Sequence, residues 1–554
     1  MRTIMSLFLK LEPFFDRYAL FLILIFAFLI RLIGLNFGLP YLYHPGELYV
    51  MKPVIKFLIS GDLNPHRFLW PGSFIMYILA IVLSIILSIY FVYCLLSGQV
   101  HNLIEFKKLI RSNPFFYYDV NPVFFHLVGR LLMVASAVIT IYLVYLVAKK
   151  IFNKSAGLLA AFCLAISPLY IGESRFIRPD VPATMLIMLS FYFLLRFIEV
   201  NKNVKWLILS SLSAGFSIAT KYTSGVIILP ILVYCLIRDF KEIRTSIVNY
   251  LVSFLCIKSD LSRALLFTFL GFFIFAPFVV LDIQHALKDI IWIGQGNGGT
   301  DIGHARLPGI QNYLWYLKGA AQNGIGGSFC AIFAVLGICL MALKKSYKKY
   351  LFIIFPLGYF LAIGFGRLKW DRWFIPVFPF EAILFGVGFY GIYELFIHSE
   401  EFQSLKPKIS MLFALTLFCV SFPVLVMDIK RGIKLTRTDT RTIAKDWIED
   451  NLPGGSKIAY EQHDPHLHIK PKKDFVLLNM SWKKIVSEPL SYYKERAVDY
   501  IIITSYMEGP FYAESYKYPE QISRYRELRT KSKLVKRFEN RDNPGPEIEI
   551  YKFR

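Results

Sequence analysis

Apolar runs punctuated by short basic clusters set the pattern of this chain. Nearly uncharged stretches lie near residues 18–35, 73–96, 127–148, 156–171, 181–198, 206–220, 223–238, 263–281, 326–343, 350–366, 372–395 and 409–428. Most approach the roughly 20 residues that a helix needs to cross a bilayer core, so each predicts an apolar helix. Between them stand "KKIFNK" (149–154), "NKNVK" (201–205), "RDFKEIR" (238–244), "KKSYKK" (344–349) and "KPK" (406–408). Loops rich in Lys and Arg stay in the cytoplasm, so these clusters, with Arg2, Lys10 and Arg17, predict a cytoplasmic N-terminus.

Parity then limits the topology. If every run crossed, "KKIFNK" and all later basic loops would lie outside; a 73–96 segment that lies along or dips into the outer face restores them together. The alternative is a true crossing with "FKKLIR" (106–111) in the cytoplasm. The expectation is a polytopic α-helical membrane protein with about eleven transmembrane helices, in which residues 1–428 form the membrane domain and 36–126 a long first external loop with juxtamembrane helices. Hydropathy falls after Met427, and residues 429–554 read as a soluble α/β domain on the outer face. There "TRTIAKDWIEDNLPGGSKIAY" predicts a helix stopped at "NLPGG" and then a strand, and "VDYIIITSY" predicts a buried strand.

Composition narrows the class. Of 554 residues, 56% are hydrophobic and 18% charged, and the mean hydropathy is +0.50, which suits a cell-membrane multi-pass protein. A net charge of +23 would suit nucleic acid, but the cations sit in short clusters between apolar runs and form no folded reader, so no nucleic-acid partner is expected. All seven cysteines fall in or beside apolar segments, which argues against a disulfide framework or a CxxC metal site. The N-terminus shows no small-residue cleavage site after a short apolar core, so 18–35 predicts a retained helix.

Charge at a membrane edge is costly, so charges gathered on one face point to function. The acids on the predicted outer face are Glu47, Glu173, Asp180, Asp282 and Asp301; the cations are Arg175, Arg178, Lys221, Arg306, Arg367, Lys369 and Arg372. Such a set suits an anionic, lipid-linked substrate: cations hold a phosphate leaving group and a carboxylate accepts a hydroxyl proton. Each residue also has a bland reading. Asp180, in "RPDVP", could cap the following helix, and His44 and His304 could be ordinary polar loop residues. Lys369 and Arg372 run against the positive-inside bias, which favours a ligand-binding role for them. The string "HDPHLH" (463–468) has metal-type side chains but lacks Cys or an acid at metal-site spacing, so no metal site is expected there.

"YHPGELYVMK", "WPGSFIMYIL", "LVGRLLMVASAVITIYLVYLVAKKIFNKSAGLLAA", "ESRFIRPDVPATML", "GFSIATKYTSGVIILP", "APFVVLD" and "DRWFIPVFPFEAILFG", in this order, resemble the bacterial and archaeal members of the protein O-mannosyltransferase superfamily. These are membrane glycosyltransferases of the GT-C fold, a group that includes the lipid A aminoarabinose transferase. The resemblance implies a multi-helix bundle, a polyprenyl-phosphate sugar donor, and inverting transfer to a hydroxyl of a protein, glycolipid or glycan acceptor at the outer face. It implies no certain cofactor and admits a divalent metal. Glu47 and Asp180 become the catalytic candidates, and His44, Arg178, Lys221, His304, Arg367, Lys369 and Arg372 the substrate-binding ones.

The family pattern is His-Pro-Asp-Glu, with the Asp assigned as base, whereas this chain has His44-Pro45-Gly46-Glu47. Three readings follow: Glu47 or Asp180 supplies the base, the enzyme works around Gly46 in another way, or this copy is an inactive GT-C homologue that serves as a binding protein. A transporter or flippase of a lipid-linked anion is the other class; it predicts matching repeats and broken helices in two halves, which this sequence does not show.

Overall fold

A computed structural model describes residues 2–69, 72–112, 123–200, 203–294, 302, 304–323, 327–343, 347–469, 471–480 and 485–553. Asp301, Lys344 and Lys345 lie outside the described residues. Each predicted apolar run is mainly helical where it is described, although 156–171 and 263–281 each break just before a proline, at Ser167 and Ala276. The principal helices are Arg2–Leu32, Ser73–Leu96, Val123–Ile151, Lys154–Ala165, Asp180–Glu199, Val204–Thr220, Ile228–Thr245, Asp260–Phe275, Ser328–Leu343, Tyr347–Phe365, Phe378–His398 and Lys406–Thr436. Among the described residues six segments are long and apolar enough to cross a membrane, and shorter apolar helices pack beside them.

Lipid gives no hydrophobic drive to bring such helices together, so close approach and polar links must do it. A side chain on Gly215 would overlap the Thr268 carbonyl, and one on Gly388 would overlap that of Phe333, so glycine lets each helix pair meet backbone to backbone. Ser190 and Ser210 each donate from Oγ to the other's carbonyl at 2.8 Å, which ties Asp180–Glu199 to Val204–Thr220. The buried residues of Ser73–Leu96 lie mostly between Phe74 and Leu83; beyond them Cys94 packs on Val100 and Phe106 instead of on the bundle.

One end of the bundle gathers the loops that carry the candidate residues, while at the other Lys150 pairs with Glu199. Helix Lys406–Thr436 runs past the fall in hydropathy at 428, because its last turns still pack on the bundle: Gly432 sits against Ile33 and Arg175. The α/β part begins after it. Helix Thr440–Asn451 leads into a five-stranded sheet of order β2-β1-β3-β5-β4, where β1 is Lys457–Tyr460, β2 Val476–Asn479, β3 Tyr500–Thr504, β4 Ser532–Phe538 and β5 Ile548–Phe553. Strands β1–β3 are parallel, and β5 runs antiparallel to both β3 and β4. The predicted helix–"NLPGG"–strand and the buried "YIIIT" strand are both present.

Candidate functional site

Glu47 opens helix Pro45–Ser60 and is fully buried. Arg130 donates from Nε to Oε1 at 2.9 Å and from Nη2 to Oε2 at 2.7 Å, while the Ile177 backbone N–H adds a bond at 3.1 Å. Arg130 Nη1 also donates to the carbonyls of Leu35 and Phe37. The pair therefore staples the first loop to helix Val123–Ile151. Burial by itself would push the Glu47 carboxyl up, but Arg130 outweighs it and holds the pKa at about 2.

Gly46 faces differently. A Cβ there would lie 3.1 Å from Arg178 Nε and 3.3 Å from His44 Nδ1, so a side chain at this position would point between an arginine and an imidazole. His44 stacks on Phe176 at 4.4 Å, and its Nδ1 is buried without a hydrogen-bond partner. Burial, reinforced by the Arg178 charge, lowers the His44 pKa to about 3, so the ring is neutral.

Two further ion pairs stand beside it. Lys221 Nζ donates to Asp180 Oδ1 at 2.7 Å, with both residues buried, and Arg178 Nη1 donates to Glu173 Oε2 at 2.8 Å. Asp180 begins helix Asp180–Glu199, yet its side chain makes no capping bond and turns to Lys221 instead. Arg372 stands over Trp370 at 4.1 Å, with Arg178, Asp180 and Glu173 as its electrostatic neighbours. No carboxylate among the described residues lies within ion-pair distance of it. His304 reaches this group through Trp370, on which it stacks at 3.5 Å. Burial lowers its pKa, and Arg372 acts in the same direction.

Other predicted residues are not brought in. Lys369 lies over Trp315, with Glu514 of the α/β domain as its nearest opposite charge, and Arg367 is exposed. Asp282 is held by His285 at 2.6 Å and by Asn64. Arg306 points at the Phe365 carbonyl.

Between the bundle and the α/β domain opens a cavity of about 650 Å³, lined by His44, Arg175, Phe176, Asp371, Arg431 and Arg441 among others. Its outer wall is docked on the first loop. Asp439 grips Arg441 through two bonds of 2.8 Å, the Arg441 guanidinium lies 3.9 Å over the Tyr43 ring, and Tyr43 Oη meets Thr442 Oγ1 at 2.8 Å. Two carboxylates stand on the cavity wall: Asp428, buried and 3.7 Å from Arg431, and Asp371, which has no ion-pair partner among the described residues. A divalent metal does not fit at the membrane face: Glu47, Asp180 and Glu173 are each committed to a cation, and no group of three donors gathers there among the described residues.

The family model described as dolichyl-phosphate-mannose-protein mannosyltransferase matches residues 125–259. No curated protein matches the chain. The apo oligosaccharyltransferase of Archaeoglobus fulgidus superposes with a TM-score of 0.52 at 13% identity, covering 90% of this chain and 71% of that one. ArnT from Cupriavidus metallidurans, bound to undecaprenyl phosphate, superposes with a TM-score of 0.52 at 13% identity, covering 96% of this chain and 97% of that one. The chain has the GT-C fold.

Within this GT-C protein the matched segment carries Arg130, Glu173, Arg178, Asp180 and Lys221, whereas Gly46, Glu47 and Arg372 lie outside it. Sequence reasoning passed over two residues. Arg130 was legible as a lone cation in an apolar run, a charge that demands a partner. Asp371 stands between Lys369 and Arg372 on the same edge, and what sets it apart from Glu47 and Asp180 is that no cation among the described residues lies within ion-pair distance of it.

Proposed function

We propose that this chain is a membrane glycosyltransferase that takes a monosaccharide from a polyprenyl-phosphate donor and passes it to an acceptor hydroxyl at the extracytoplasmic face of the cell membrane. The observation that carries the reading is Arg372, a half-buried guanidinium with no carboxylate partner among the described residues, set beside the Lys221–Asp180 and Arg178–Glu173 pairs. An anion placed there meets a free planar fork of donors, the geometry that phosphate oxygens match. The undecaprenyl phosphate bound by ArnT is a ligand of that class.

Transfer breaks the bond between the sugar's anomeric carbon and the phosphate oxygen, and the acceptor oxygen bonds to that carbon as it loses its proton. Charge grows on the leaving phosphate, where Arg372, with Lys221 and Arg178 close by, stabilises it. The proton needs a base that is not already engaged. Glu47, Asp180 and Glu173 are each held by a cation and Asp428 stands beside Arg431, so we assign the task to Asp371 on the cavity wall. Glu47 then acts as a positioning residue, because its clamp on Arg130 sets the backbone that carries His44 and Gly46. The acceptor, whether protein, glycolipid or glycan, approaches through the cavity under the α/β domain.

The test is release of free polyprenyl phosphate from a polyprenyl-phosphate sugar by the full chain in lipid nanodiscs, with and without candidate acceptors. Asp371→Asn should slow release by about a hundredfold, with donor binding retained. The absence of a side chain at Gly46 favours a second reading, a binding protein without turnover. Saturable donor binding with no release, by the unmodified chain and with every acceptor class, would establish that reading in place of the first.

A further inference from the structure

The "HDPHLH" string, which the sequence reading set aside, folds into a turn between β1 and β2. Asp464, His466 and His468 each present a donor atom there, and all three atoms lie within 4.8 Å of one another. His466 Nδ1 is 3.8 Å from Asp464 Oδ1, too far for a hydrogen bond, and it is buried with no hydrogen-bond partner in the protein. Two donors on one metal at about 2.0–2.2 Å stand at most a little over 4 Å apart, so this spacing suits a shared ion after a small rotation of one imidazole. The two imidazoles are nearly perpendicular, at 84°. They can therefore approach one point from different sides.

The backbone of the turn is held in an unusual shape. His463 and His466 have φ of 66° and 52°, in the left-handed region that non-glycine residues seldom occupy. Strain of this kind persists where surrounding groups over-determine it, and it clusters at ligand sites. The nearby cation is already committed: Lys445 donates to the carbonyls of His466 and Ile469 and lies 3.6 Å from Glu449.

We infer that Asp464, His466 and His468 form a divalent-metal site of the zinc class on the α/β domain. Two imidazoles and one carboxylate are borderline donors that favour zinc over calcium or magnesium. Because His468 is exposed, the fourth position opens to solvent and takes water. The ion also has a structural reach, since the His466 ring stacks on Tyr43 at 5.0 Å and 12°. Fixing that ring fixes the seat on which the first loop docks.

The test uses the full chain in detergent, without a polyhistidine tag, stripped with chelator and titrated with Zn2+ alone, followed by Co2+ as a spectroscopic probe. One equivalent of Zn2+ per chain is expected, with a tetrahedral Co2+ spectrum and a rise in Tm. His468→Ala removes an exposed ligand that the fold does not need, and it should weaken Zn2+ binding at least about tenfold and abolish the Co2+ spectrum. His285→Ala, an exposed histidine beside Asp282, is the control and should change neither. No uptake by the unmodified chain overturns the site, as does uptake that His468→Ala leaves intact.

Discussion

Arg130 holds both carboxylate oxygens of Glu47, at 2.9 and 2.7 Å, in a position closed to solvent. A buried charge left without its partner is strongly destabilising, by about 3–5 kcal/mol. Arg130→Ala should therefore lower the thermal stability of the detergent-solubilised protein and expose the first loop to protease, and Glu47→Gln should do so more mildly because the amide keeps one hydrogen bond. A Glu47→Gln protein that is fully stable yet inactive would return Glu47 to the reaction itself.

Acid should loosen the same segment in two stages. The His44 pKa falls from 6.5 to about 3 in the folded chain and that of Glu47 from 4.5 to about 2, so for both groups the unfolded state binds more protons within those windows. Stability thus declines as pH falls below 6.5 through His44, and declines further below 4.5 through Glu47. Amide exchange of residues 40–50 against pH should show both limbs, and His44→Asn should remove the upper one.

Arg372→Ala should weaken binding of polyprenyl phosphate at least about tenfold, since a charge-assisted bidentate contact is lost. Arg372→Lys should recover only part of it, because an ammonium lacks the planar fork. Binding measured with undecaprenyl phosphate in nanodiscs decides this; unchanged affinity in Arg372→Ala removes the residue from the donor site.

A carboxylate restored at position 46 would meet Arg178 and the unpartnered Nδ1 of His44. His44 and Asp371 line one cavity, so Gly46→Asp in the Asp371→Asn background should regain at least about tenfold in transfer, by supplying a base to the same proton. The single Gly46→Asp change should gain much less. A large gain in the single variant would place the proton acceptor at position 46 and not at Asp371.

Orientation is tested by reporter fusions. With a cytoplasmic N-terminus and an external α/β domain, fusions at Lys150 and after Asp450 report opposite sides of the membrane. The same side for both would refute the eleven-crossing topology.

The apolar runs determined the helices by themselves, because a segment of about 20 apolar residues has little stable alternative to a helix in lipid. The β1 and β3 strands and the helix before them were equally legible, from local period and turn residues. That charges would gather at one end of the bundle was readable in part, since charge at a membrane edge is costly: Glu173, Arg178, Asp180, Lys221 and Arg372 stand together, whereas Lys369, Asp282 and Arg306 do not join them. Which charge neutralises which was not readable. Glu47 meets Arg130 across 83 positions and Asp180 meets Lys221 across 41, and pairing over such distances depends on how helices pack, which local pattern does not encode. Tertiary structure alone decided that the two sequence-nominated carboxylates are engaged, that Asp371 and Arg372 are left without ion-pair partners among the described residues, and that a histidine turn in the α/β domain meets Tyr43 of the first loop. Chemistry at a site depends on which groups remain unneutralised, and that is settled only when the whole chain has packed.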